Sequence, residues 1–398
     1  MHQSKCRSRD DAASKEPFNF SSSGVQLMAS MDETPVSCAA DNSYPMAAYR
    51  KPGYTLDSYV ASFTKTDAGL VPIIKPVPGK KDVFSTLLVR CGFFRYSYTV
   101  NPGIYGIGAP DKDSEVLVTA NFKLTFDHLR EALKTVNAWI LVLDTKGINV
   151  WCAAGKGTFS TQELVRQIQR TSLDHVVKHK RVIVPQLGAT GVCAKQVKKA
   201  SGFSVIYGPI RAKDIPDFLY NGKKADKKMR QVTFSLYERF ILTPVELQNF
   251  FKPALLTIPI LVILSGLGPG IFSFAGAWER GSLTIIALVA GIISGAFITP
   301  LLLPYIPFRE FALKGILAGS CVMILLLFFT SLSMDAISGN LALFLFSVAI
   351  SSFSAMNFTG TTPYTSPSGV EKEMKRYIPV QLASLVVSAG LWFYSAFN

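Results

Sequence analysis

With 398 residues the chain is long enough for two or three domains, and its apolar residues are gathered at the C-terminal end, so at least one domain is not aqueous. The formal net charge of +14 accompanies no base-reading motif and no aromatic-interleaved basic run, which argues against nucleic acid. Six cysteines without a single C-x-x-C pair argue against a disulfide framework, a zinc site or an iron–sulfur cluster within this chain.

Residues 1–50 are rich in Ser, Asp, Ala and Lys with no sustained period, and read as a mobile tail. Met1–Asp11 is polar and lacks an apolar stretch after its charges, so no secretory signal is expected. From 51 to 248 short β-branched or aromatic runs alternate with helical patterns, the signature of an α/β domain with a largely parallel sheet. The candidate strands are Glu115–Ala120, Trp139–Leu143, Arg181–Val184 and Ser204–Gly208. The candidate helices are Asp127–Val136, Thr161–Thr171 and Thr190–Ser201. The run Leu87–Tyr98 alternates enough to predict a strand that pairs with Tyr105.

From 249 to 398 five apolar segments approach the roughly 20 residues that cross hydrocarbon. They lie near 254–274, 282–303, 311–332, 339–357 and 377–397, and predict a transmembrane domain with five helices. Lys223, Lys224, Lys227, Lys228 and Arg230 precede the first span, Arg309 and Lys314 flank the second connection, and Lys372, Lys375 and Arg376 occupy the fourth. The opposite loops hold only Arg280, so the charge rule predicts a multi-pass protein of the cytoplasmic membrane with its soluble domain in the cytoplasm and its C-terminus outside. Lysines before a span also favour an anionic lipid surface. Gly291 and Gly295, and again Gly315 and Gly319, have the G-x-x-x-G spacing that brings helices close in lipid. The segment Asn357–Ser368 crowds Thr, Pro, Gly and Tyr together and predicts a loop or a buried re-entrant turn.

The stretch Lys146–Thr161 follows a strand directly, where ligands bind in parallel sheets. It is not a P-loop, because Val150 and Gly157 stand where that pattern needs Gly and Ser or Thr. Small residues after Cys152 keep the backbone slim, so a large flat group can approach the thiol. A lone cysteine is most often a small buried hydrophobe, and this setting sets Cys152 apart from that default. Gly188–Gly191 also follows a strand and is expected to open a helix whose N–H groups face an anion. Tyr207, Gly208 and Pro209 at the next strand end line the same groove, near Arg211. His175 and His179 sit among basic residues and read as a solvated helix end rather than a metal site.

The run Asn149-Val150-Trp151-Cys152-Ala153-Ala154-Gly155-Lys156-Gly157-Thr158-Phe159 resembles the cap-helix signature of the corrinoid protein of microbial mercury methylation. The resemblance extends through Gln186–Val192, Ser201–Asp214 and Asn357–Met374. The corrinoid subunits of the acetyl-CoA pathway are similar to the soluble part more loosely. Ser160 departs from the Gly expected at that place.

The resemblance implies a Rossmann-like corrinoid-binding domain ahead of the five-helix membrane domain. It implies a cobalamin or other cobamide held by Asn149–Thr158, by Gly188, Ala189, Thr190, Gly191 and Val192, and by Tyr207–Pro209. Cys152 is then the catalytic residue, its thiolate the lower axial ligand of cobalt. The D-x-H-x-x-G pattern of an imidazole-ligated corrinoid is missing. The implied activity is that of a corrinoid-dependent methyltransferase of anaerobic one-carbon metabolism, forming methylmercury from inorganic Hg(II). The implied methyl source is a methyltetrahydrofolate-type donor, and the implied electron source is a two-cluster 4Fe–4S ferredoxin. Two other functions stand beside it: a one-carbon methyl carrier for an acetyl-CoA-forming pathway, and a membrane transporter or cobamide-binding receptor. A transporter would be expected to carry ionisable residues at the helix centres, and the predicted spans have none there.

Overall fold

The computed structural model describes residues 56–329, 337–358 and 367–397. The expected tail 1–50 and most of the expected turn Asn357–Ser368 lie outside the described residues. In chain order the elements are β1 (Val60–Thr66), β2 (Gly69–Ile74), α1 (Lys80–Arg90), β3 (Gly103–Ile107), β4 (Val116–Ala120), α2 (Lys123–Ala132) and β5 (Ala138–Leu143). There follow α3 (Val150–Lys156), α4 (Thr161–Arg170), α5 (Leu173–Val176), β6 (Arg181–Val184), α6 (Ala194–Ser201), β7 (Ser204–Tyr207) and α7 (Ile215–Tyr220). The remainder is helical: α8 (Leu236–Ser265), a small β8–β9 hairpin (Leu267–Gly268 and Ile271–Phe272), α9 (Phe274–Ile293), α10 (Thr299–Leu301), α11 (Phe311–Phe329), α12 (Ile337–Phe358) and α13 (Pro367–Phe397).

The chain divides into two compact units and passes between them three times. One holds the described residues up to Gly79 with Tyr98–Arg230, the other Lys80–Ser97 with the chain from Gln231 onward. Helix α8 runs unbroken through position 248, the domain boundary expected from composition.

In the first unit seven strands form one mixed sheet in the order β1-β2-β3-β5-β4-β6-β7. The block β5-β4-β6-β7 is parallel, while β3 runs antiparallel to β5 and β1 antiparallel to β2. Every residue of β4 and β5 is buried, as expected for strands covered on both faces. Their alternate side chains serve two cores. Val116, Val118, Leu141 and Leu143 point to a core completed by Phe159 and Leu164, and Leu117, Ile140 and Val142 to one completed by Phe126 and Phe218.

Local chemistry accounts for the differences from expectation. Helix α2 starts at Lys123 rather than Asp127, with no side-chain cap at Phe122 to signal it. Asp127 on this helix is buried and takes hydrogen bonds from Lys123 (2.7 Å) and Arg130 (2.8 Å), both also buried. The predicted strand Leu87–Tyr98 is corrected: its first residues end helix α1, and Phe93, Phe94 and Tyr96 are exposed rather than alternating between two faces. Tyr105 does occupy a strand, β3, paired with β2 and β5. The helix predicted over Thr190–Ser201 begins only at Ala194, after a 3₁₀ turn at Gln186–Gly188.

Among the described residues, five helices of the second unit are long and apolar enough to cross a membrane. The first is corrected from 254–274 to Leu236–Ser265, because buried polar residues Arg239, Thr243 and Glu246 hide its beginning from a hydropathy reading. Helix α12 is the most buried of the five. Glycines of α9 and α11 lie against it: a Cβ on Gly291 would come within 2.6 Å of Ser347 O, and one on Gly315 within 2.6 Å of Ser351 O. The close approach lets Ser351 Oγ donate to Gly315 O (2.7 Å) and Ser352 Oγ to Ala312 O (3.1 Å), while Gln381 Nε2 of α13 donates to Ser352 Oγ (2.9 Å). The two G-x-x-x-G pairs are therefore packing surfaces for one serine-bearing helix.

Substituting Gly295, whose added Cβ would meet Ser351 O and Ser354, with Val is expected to destabilise this bundle by about 1–3 kcal/mol. Gly390→Val, at a position with nothing within 4 Å, is the control. Thermal unfolding in detergent checks the difference, and equal midpoints for both variants would remove the packing role.

Candidate functional site

The site is organised by the loop between β5 and α3. Lys146 (φ 58°) and Gly147 (φ 71°) turn the chain through two successive left-handed residues, which asks for external support. Asn121, buried at the end of β4, supplies it. Its Oδ1 accepts from Thr145 N (3.0 Å) and Gly147 N (3.0 Å), and the Thr145 hydroxyl bridges that oxygen (2.8 Å) and Ile148 O (2.7 Å). Asp144 takes the Lys146 ammonium at 2.8 Å and the Lys146 N–H at 3.1 Å. Partial burial works against the Asp144 charge, yet Lys146 outweighs it and holds the carboxyl below the usual carboxylate range.

Helix α3 starts where Asn149 Oδ1 accepts from Cys152 N at 2.9 Å and ends at Gly157 in the left-handed region. Val150, Ala153 and Ala154 face the core. The other face presents Trp151, Cys152, Gly155 and Lys156, with Cys152 half-buried and a free thiol. A Cβ at Gly155 would meet nothing within 4 Å, so the surface beside the thiol is open. Ser160, which departs from the expected Gly, caps α4 through Glu163 N (3.2 Å).

The N-terminal end of α3 borders an apolar cavity of about 350 Å³, within the range of small-molecule sites. Leu117, Val118 and Thr119 of β4 line it, with Ile183 and Pro185 at the end of β6, Asn149, Val150 and Trp151 of α3, and Gly208, Pro209 and Ile210 after β7. Strand β4 stands between β5 and β6, so its neighbours are reached by crossovers in opposite directions. Ligand crevices form outside strand ends at such a reversal of order.

Of the residues expected at the site, Asn149, Val150, Trp151, Gly208 and Pro209 share this cavity. Gly157 and Thr158 line a separate polar recess of about 310 Å³ with Asp144, Lys146, Glu163 and Arg166. The loop 188–192 is committed to its own packing. The N–H groups of Gly188, Ala189, Gly191 and Val192 donate to Pro185 O, Gln186 O, Gly188 O and Gly188 O. Added Cβ atoms on Gly188 and Gly191 would run into Phe159. The Tyr207 hydroxyl ties the loop down by donating to Val192 O at 2.6 Å, and Thr190 is exposed. Arg211 leads into the 3₁₀ turn Ala212–Asp214. Asn121, Thr119, Pro185 and Ile210 escaped the sequence reading, since no motif marks them and only the fold assembles them. Among the described residues no group of three or more His, Cys, Asp or Glu gathers to hold a metal ion. His175 pairs with Asp174, and His179 Nε2 lies 2.9 Å from Ser114 O.

Residues 81–219 match a family model described as the CO dehydrogenase/acetyl-CoA synthase delta subunit. The chain is 34% identical over 122 residues to the acetyl-CoA decarbonylase/synthase complex subunit gamma of Methanopyrus kandleri, covering 30% of this chain and 26% of that one. It is 32% identical over 143 residues to the same-named subunit of Methanothermobacter thermautotrophicus, 35% of this chain and 31% of that one. It is 32% identical over 114 residues to the corrinoid/iron-sulfur protein large subunit of Moorella thermoacetica, 28% of this chain and 25% of that one. The chain spans about a quarter to a third of the length of these relatives. The family match ends before α8, so the α/β part has homologues among these subunits and the five apolar helices lie beyond the matched region.

Asn121→Ala should cost about 1–3 kcal/mol, since two buried backbone N–H groups lose their acceptor. Asn149→Ala should cost about 1 kcal/mol through loss of the α3 cap. Hydrogen exchange of residues 145–157 tests both: faster exchange confined to that loop and helix is expected, and unchanged protection would refute the clamp.

Proposed function

We propose that the protein is a corrinoid-dependent methyltransferase that delivers a methyl group to inorganic Hg(II), with the Cys152 thiolate as lower axial ligand of cobalt. The observation that carries this reading is the setting of Cys152. It stands on the open face of a capped helix, beside a glycine that keeps the surface clear, and its neighbours Asn149, Val150 and Trp151 line an apolar cavity at the strand ends that Cys152 itself does not line. These residues fit a cobamide: the donor set offers one soft thiolate, the cavity takes an apolar edge, and the face around Gly155 admits a broad ring. Names of the matched relatives support the same cofactor, one of them being a corrinoid/iron-sulfur protein. The cavity between β4 and β6 also supports a Rossmann-like reading of the domain.

A bound corrinoid would supply the metal centre for methyl transfer, and Cys152 is the residue that would hold it, its thiolate being a strong, soft donor suited to transfer toward a soft electrophile such as Hg(II). The chain's own residues do the holding. Ala153 and Ala154 anchor α3 in the core, Asn149 fixes its first turn, and the apolar lining excludes water from the side of the ring. Electrons come from a two-cluster ferredoxin and the methyl group from a methyltetrahydrofolate-type donor in this reading. The soluble unit lies in the cytoplasm, with the C-terminus outside.

A second reading, a methyl carrier for an acetyl-CoA-forming complex, is favoured by the comparisons, because most matched relatives are named as subunits of such complexes. Under that reading the acceptor differs and the corrinoid site is the same.

Reconstitution with methylcobalamin separates the outcomes. The wild type is expected to shift the visible corrinoid bands and to form methylmercury from Hg(II), and Cys152→Ala to lose both while keeping its circular dichroism. Bands and activity that survive Cys152→Ala would refute thiolate ligation. Methyl transfer to an acetyl-CoA synthase without transfer to Hg(II) would establish the carrier.

A further inference from the structure

The segment Lys80–Ser97 separates from its sequence neighbours: the residues on either side belong to the α/β unit, and this piece packs with the apolar helices. Its contact with α8 is specific. Arg95 is the cation near the buried Glu246 of α8, and Gly92 (φ 88°) lies so close to Gln248 that a Cβ there would meet that side chain within 3 Å. Buried Asp82 and Val89 mark the inner side of α1.

The outer side is apolar. Val83, Phe84 and Leu87, at i, i+1 and i+4, are 62%, 62% and 58% exposed, and Phe94 and Tyr96 beyond the helix are 72% and 88% exposed. Large apolar side chains so exposed in one short segment mark a surface that something covers. Two observations select the cover. The segment meets α8 at Glu246 and Gln248, and beyond them this helix, long and apolar enough to span a membrane, carries the exposed apolar residues Phe251, Leu255, Leu256 and Ile260. Exposed Lys80 and Lys81 stand at the start of α1, where ammonium groups meet anionic headgroups.

We propose that Lys80–Ser97 is an interfacial element that lies in the headgroup layer beside α8, with Phe84, Leu87 and Phe94 sunk among acyl chains and Lys80 and Lys81 at the level of the phosphates. The membrane surface is thereby held by a piece of chain inserted between β2 and β3, far in sequence from the spans. The proposal rests on the reading of α8 as a span.

The test keeps the full chain, in vesicles of zwitterionic and anionic phospholipid in equal parts, with the photoreactive residue benzoylphenylalanine at one position at a time. Leu255→benzoylphenylalanine reports on the span, Phe84→benzoylphenylalanine on the interfacial element, and Tyr220→benzoylphenylalanine, exposed in the α/β unit, on background. Lipid adducts by mass at 255 and 84, with none at 220, are expected. Adducts at 255 with none at 84, or cross-links from 84 to protein alone, would overturn the proposal and leave the span intact. Absence of adducts at 255 would overturn the membrane reading on which it stands.

Discussion

The geometry of the site depends on one buried amide. Asn121 closes β4, accepts the N–H groups of Thr145 and Gly147, and so holds the loop from β5 in two consecutive left-handed residues. Without that acceptor the loop would bury unpaired donors, and α3 would have no fixed starting point. With it, α3 begins at Asn149, buries Val150, Ala153 and Ala154, and turns Cys152 to the opposite face by helical geometry alone. The thiol is presented because the alanines beside it are small enough to pack directly on the sheet.

Strand order supplies the second constraint. Strand β4 sits between β5 and β6: the chain steps from β4 to β5 on one side and then crosses back past β4 to reach β6 on the other. The elements that cover the sheet diverge above that point and leave the apolar cavity bounded by β4, β6, the first turn of α3 and the residues after β7. The glycines at 188 and 191 serve this arrangement by admitting Phe159 beneath the loop. Their role in this packing is steric, and the N–H groups of Gly188, Ala189, Gly191 and Val192 donate to nearby carbonyls.

In the apolar unit the same principle of close approach works with different chemistry. Glycines bring α9 and α11 onto α12, and serine hydroxyls of α12 donate to the carbonyls so approached, the kind of contact that joins helices where no hydrophobic drive acts between them. Lys314 is buried here and donates to Leu303 O (2.7 Å) and Ile306 O (2.6 Å), occupying carbonyls that the end of α10 leaves open. The helices are thus joined into a polar-seamed bundle, which is more than an anchor requires.

Legible in the linear pattern are the α/β part and the five apolar helices that follow it, the four strands of the parallel block to within a residue or two, and the position of Cys152 after a strand in a run of small residues. These features are local: hydrophobic runs, their lengths and the residues that cap or break them. The folded chain alone shows that Lys80–Arg90 is a helix of the apolar unit, that α8 begins at Leu236, that Asn121 holds the loop before α3, and that Pro185 shares a cavity with Trp151. It also shows that Gly157 and Thr158 face a different recess from Trp151. Each of these depends on contacts between residues distant in the chain, whether a carbonyl at the end of one strand meeting the loop of another or a glycine meeting a side chain of a remote helix. A linear pattern carries no record of such partners, because the residue types involved are common and their meaning comes from what the fold brings beside them.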